Sequence, residues 1–102
     1  MKKENLPTES EANKYQVRSG YSLREIAGEY LAIPVSVKEG TDSQVAIMSF
    51  GGKFLWEQLQ TEKTVQELVQ AMTSYFEVEA GQAQDDILEF LRYLEQYDLL
   101  EK

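Results

Sequence analysis

The chain has 102 residues, enough for one domain around a small core. It contains no cysteine and no histidine. That removes disulfides, thiolate chemistry and zinc-thiolate sites, together with the commonest metal ligand and the usual acid–base group near neutral pH. The formal net charge of −8 disfavours long-range attraction to nucleic acid or anionic lipid. The composition therefore points to a binding or interaction module rather than an enzyme.

The opening segment, residues 1–19, is polar, with Pro7 and scattered Glu, Ser and Asn. Such a stretch buries too little to order itself and reads as a flexible tail. Its first residues, MKKENLPTES, lack the apolar run of a signal peptide. No apolar stretch approaches the roughly 20 residues needed to span a bilayer. These features point to a soluble cytoplasmic protein.

Residues 20–102 form the folded domain. Apolar alternation through Leu23, Ile26, Tyr30, Leu31, Ile33 and Val35 predicts a hairpin of strands over 22–27 and 30–37. Gly28-Glu29 is the tight turn between them. Arg24 and Glu25 read as solvent-facing charges that protect an edge, and Pro34 argues for an edge or a bulge. Turn chemistry over 38–43 (KEGTDS) leads to a third strand over 44–48. Within that strand Val45 and Ile47 alternate with Ala46 and Met48, so one pair faces the core; either pair fits.

Three helical patterns follow. Ser49 is a candidate N-cap for a helix over 50–59. Phe54, Leu55 and Leu59 share its apolar face, with Trp56 on the flank as a core residue. Gly51 and Gly52 weaken its first turn or allow close packing on the sheet. Thr64-Val65-Gln66-Glu67 is a capping box opening a helix over 65–75, with Val65, Leu68, Val69 and Met72 at core spacing and Phe76 following them. The third helix, 82–97, places Ile87, Leu91 and Leu94 within roughly 60° of arc as its core stripe. Phe90, Tyr97, Asp86 and Tyr93 lie on a second flank, roughly 60–120° away from Ile87. The apolar arc thus exceeds what a surface helix needs, and the surplus is an aromatic flank.

The order is α+β: a three-stranded antiparallel sheet followed by three helices, close to a winged helix-turn-helix with its sheet moved to the front. A nucleic-acid-binding winged helix would need a basic recognition helix. The third helix carries Arg92 alone against Asp85, Asp86, Glu89 and Glu95. Asp85, Asp86 and Glu89 lack the spacing of a calcium loop. The free edge of the third strand can accept a peptide, or pair with a second copy in a homodimeric scaffold.

YSLREIAGEYLAIPV, VAIM, FGGKFLWEQL, TVQELVQAM and the last helix ending in DLL together resemble the PqqD family, over about residues 21–100. The resemblance implies a stand-alone recognition element for ribosomally made precursor peptides, without catalytic residues or cofactor. It implies that a leader peptide adds as a strand beside the third strand, in the groove facing the last helix. Carried onto this chain, that groove is lined by Gln44, Val45, Ala46, Ile47 and Met48 and by Asp86, Phe90, Tyr93 and Tyr97. The implied partners are the precursor's leader and a modifying enzyme of the radical S-adenosylmethionine class. The Ser49-Phe50-Gly51-Gly52 run departs from the family's pattern of a polar residue and one glycine at this point.

Overall fold

A computed structural model describes residues 13–35 and 45–101. Its main sheet is a meander of β2 (Tyr21–Ile26), β3 (Glu29–Pro34) and β4 (Ala46–Met48), in the order β2-β3-β4 and antiparallel throughout. The hairpin turn is Ala27-Gly28, one residue earlier than the sequence suggests. Both residues have positive φ, 54° and 82°. That is the two-residue turn whose twist matches the flanking strands, and it forces Ala27 into a region that alanine seldom adopts. The turn expected over 38–43 lies outside the described residues, as do the end of the predicted second strand and Gln44.

Cross-strand partners share a face of the sheet. Leu23, Ala32 and Ala46 align across the three strands, and Tyr30 stands opposite Met48. Ala32, Ala46 and Met48 are buried, so this is the core face. Val45 and Ile47 point the other way and are 41% and 53% exposed, which decides the alternation that the sequence leaves open.

The helices are α1 (Phe50–Gln58), α2 (Val65–Tyr75) and α3 (Ala80–Gln96). Ser49 caps α1 by accepting the Gly52 amide at 3.2 Å. Thr64 and Glu67 form the reciprocal capping box of α2, at 2.9 and 3.1 Å. The helix α3 ends in a left-handed Asp98 (φ 58°). The Asp98 amide then bonds the Glu95 carbonyl and the Leu99 amide bonds the Leu94 carbonyl, a Schellman closure that buries Leu99 against the core. Ile87, Leu91 and Leu94 are buried as their spacing predicts, with Leu55, Trp56, Leu59, Leu68 and Met72. Among the described residues no polar or charged side chain is buried.

Residues 1–12 of the expected tail lie outside the described residues; over residues 13–19 the expectation needs correction. Lys14–Tyr15 (β1) pairs antiparallel with Lys63–Thr64 (β5), a second small sheet. Val17 is buried and bridges Leu100. Main-chain bonds join Val17 to Leu59, Arg18 to Leu99 and Glu101 to Gln16, so this segment ties the end of α1 to the chain's last residues. One apolar side chain and a few main-chain donors and acceptors suffice, which a composition argument does not register.

Gly51 and Gly52 play different parts. A Cβ on Gly52 would meet Met48 Cβ at 2.9 Å and the Phe90 ring at 3.0 Å, whereas one on Gly51 would touch nothing closer than Ser49 Oγ at 3.8 Å. Gly51→Ala is therefore expected to raise stability by about 0.5–1 kcal/mol through helix propensity. Gly52→Ala is expected to lower it by about 1–3 kcal/mol through overpacking. Urea unfolding of the two variants, followed by tryptophan fluorescence, measures both.

Candidate functional site

The outer edge of β4 and the near face of α3 bound a cleft of about 470 Å³. Its floor is apolar: Met48 from the strand, Leu55 from α1, Met72 from α2 and Phe90 from α3. The helix wall adds Tyr93, Asp86 and Glu89, and Ile47 forms the strand wall. Helix caps and core packing hold all of these elements, and Met48 and the Phe90 ring both approach Gly52 closely.

Of the four site residues expected on α3, three lie where the helical spacing suggests. Asp86, Phe90 and Tyr93 line the cleft. Tyr97 does not reach it; its ring packs edge-on against Tyr93 at 5.0 Å, and it is 39% exposed at the helix end. On the strand, Ile47 and Met48 line the cleft. Ala46 is buried in the core, so its side chain is unavailable to a ligand and only its main chain borders the strand edge. Val45 is exposed on the outer sheet face. Sequence reasoning missed Ser49, Gly51, Gly52, Leu55, Met72 and Glu89 as lining residues. Helical periodicity marks Leu55 and Met72 as core, which they are; a core side chain whose tip forms a cleft floor gives no separate signal.

Main-chain geometry gives the site its character. The Tyr93 hydroxyl accepts the Ile47 amide at 3.0 Å and donates to the Ile47 carbonyl at 2.7 Å. In an antiparallel pair, residues alternate between bonding their partner strand and turning both groups outward. Ile47, opposite Leu31, is thus an outward-turned residue, flanked by Ala46 and Met48 turned toward β3. The ring of Tyr93 also lies near-parallel to Phe90, with centroids 6.2 Å apart. Asp86 accepts a bond from Gln82 Nε2 at 2.9 Å, and neither Asp86 nor Glu89 is ion-paired with a described residue. Among the described residues no three of His, Cys, Asp and Glu gather closely enough to hold a metal ion, and no helix is long and apolar enough to cross a membrane.

These features define a small α+β domain whose sheet edge faces a helix across an apolar cleft. Residues 51–100 match the family model of coenzyme PQQ synthesis protein D (PqqD). Among solved structures, the fold is similar to that of TbiB1, determined in complex with the TbiA(beta) leader peptide. The two share 23% identity over 84% of this chain and 94% of that one, with a TM-score of 0.63. At that identity the likeness establishes the fold, including the three-stranded sheet that precedes the family match. No curated protein matches the sequence.

Burial pushes the Tyr93 phenol above its usual pKa of 10; the bond from the Ile47 amide pulls it down and the neighbouring Tyr97 pushes it up. A phenol whose pKa is higher in the folded state lends stability that is fully present below pH 10. That stability is lost as pH rises through the raised value. The absorbance titration at 295 nm of wild type minus Tyr93→Phe is accordingly expected to show a one-phenol step with its midpoint above 10. A step at or below 10 would contradict the burial of this hydroxyl.

Proposed function

We propose that this protein is a non-catalytic recognition element that binds the leader of a ribosomally made precursor peptide. The leader adds as an antiparallel strand along the outer edge of β4 and lies in the cleft against α3. The protein then presents the rest of the precursor to a modifying enzyme, of the radical S-adenosylmethionine class. The observation that carries this reading is the outward-turned Ile47 of β4 beside a cleft with an apolar floor. The PqqD match over residues 51–100 and the fold shared with a leader-bound protein support it.

Strand addition takes affinity from main-chain hydrogen bonds and specificity from alternate side chains. Here the floor of Met48, Leu55, Met72 and Phe90 suits an aliphatic or aromatic anchor. Asp86 and Glu89 on the rim, within a chain of net charge −8, suit a leader that carries Lys or Arg. Net bonds of about 1 kcal/mol each and one or two buried anchors, offset by the ordering of a flexible peptide, place the complex near micromolar, about −8 kcal/mol. That strength suits a carrier that releases its client.

The test is calorimetric titration with synthetic leader halves of the short precursor frames adjacent to the gene. Micromolar binding is expected, weakening as salt rises. Ile47→Pro removes the one outward donor at the centre of β4 while the ladder to β3, carried by Ala46 and Met48, stays. It is expected to weaken binding at least tenfold, about 1.4 kcal/mol, with unchanged circular dichroism. Absence of binding in a protein that forms a stable dimer would move the role to self-association through the same edge. Binding indifferent to Ile47→Pro would move the ligand away from β4.

A further inference from the structure

The strand edge that a leader would use is already occupied. The Tyr93 hydroxyl fills both outward main-chain positions of Ile47, the central residue of the three-residue strand β4. An incoming antiparallel strand bonds through the same two groups. The carbonyl oxygen can accept a second bond, but the amide has one hydrogen to give. A phenol and a peptide carbonyl therefore compete for it.

We propose that Tyr93 is a latch on the β4 edge. In the peptide-free protein its hydroxyl stands in for the main chain of the missing strand, and binding requires it to leave Ile47. This rests on the leader-binding reading and adds a gating step to it. The surroundings of the ring fit such a device. Phe90 flanks it on the cleft side, and Tyr97, half-exposed at the end of α3, bounds it on the other. The ring packs against the core on one side and is bordered on the other by an exposed side chain, so it is not enclosed all round. Ile47 is itself 53% exposed, so without the phenol its main chain would offer an open pairing site to any extended segment, including another copy of β4. The latch closes that site with a group too short to propagate a sheet.

A latch lowers apparent affinity by the fraction of molecules that are unlatched. Removing the hydroxyl while keeping the ring therefore predicts tighter binding, the reverse of what a simple contact residue would show. The variant is Tyr93→Phe, which retains the packing against Phe90 and Tyr97. Two readouts are taken on wild type and variant: hydrogen exchange at the Ile47 amide, by NMR on the free proteins, and affinity for the synthetic leader halves. The Ile47 amide is expected to exchange at least tenfold faster in the variant, and the leader to bind roughly tenfold tighter. An Ile47 amide equally slow in both proteins overturns the latch, whatever any peptide does. A leader that binds both proteins equally, or the variant more weakly, overturns it while leaving leader binding intact. If no leader binds either protein, leader binding is overturned, and with it the gating of a ligand.

Discussion

Gly52 sets the distance between strand β4 and helix α3. With a hydrogen in place of Cβ, Gly52 lets both Met48 and the Phe90 ring approach α1, where a Cβ would stand 2.9 and 3.0 Å from them. Met48, Phe90 and Leu55, one turn along the same helix, line the cleft beside this approach. The register of the helix against the sheet then places Tyr93, one turn beyond Phe90, beside Ile47 rather than beside the buried Ala46 or Met48. A small change in this spacing would move the phenol out of bonding range, since hydrogen bonds weaken steeply beyond about 3.2 Å. The helix-breaking tendency of a Gly-Gly pair in a first turn is offset by the Ser49 cap, which satisfies the Gly52 amide itself.

The remainder of the molecule holds this junction rigid. Val17 is brought to Leu100 by an isolated bridge, and β1 pairs with β5 at the start of α2. The Arg18–Asp98 ion pair, at 3.6 Å and solvent-exposed, adds little. The main-chain bonds of residues 16–18 to Leu59, Leu99 and Glu101 do more, because they tie the end of α1 and residues 99–101 to one segment. The far face of α1 is built differently: Phe50 and Phe54 join Tyr30, Tyr75 and Phe76 in a chain of ring contacts, with Lys53 5.6 and 5.5 Å over the Tyr30 and Phe50 rings. The helix therefore presents a tight glycine seam to the cleft and an aromatic buttress to the opposite side.

The parts of this fold that were legible in sequence are those with a local physical signature. The capping box at Thr64, the Ser49 cap and the stripe of Ile87, Leu91 and Leu94 depend on spacings of three and four residues, and the structure contains them as read. The aromatic flank of α3 was visible as apolar arc in excess of core needs, and Asp86, Phe90 and Tyr93 do line the cleft. What escaped depends on distant partners. Lys14–Tyr15 forms a strand only because Lys63–Thr64 lies beside it, and its composition is that of a tail. The face of β4 was undecided because VAIM is apolar at every position; packing under the sheet chose the small Ala46 and flexible Met48 for the core. The turn shifted from Gly28-Glu29 to Ala27-Gly28 because strand register, not the glycine alone, fixes where a two-residue turn falls.

A recognition edge must be open to one strand and closed to others. Natural sheets usually resolve this with charge, proline or a bulge, each of which closes the edge permanently. Charge is used on this sheet at its other margin, where β2 carries exposed Arg24 and Glu25. On β4 permanent closure would abolish binding. A hydroxyl that both donates and accepts can satisfy an outward-turned residue completely with a single atom, while presenting no further main chain to extend the ladder. Because it sits on a rotatable side chain, the closure is reversible. The same residue that widens the aromatic flank of α3 thereby closes the one outward-turned position of the β4 edge, and in the proposed latch it is the group that a leader displaces.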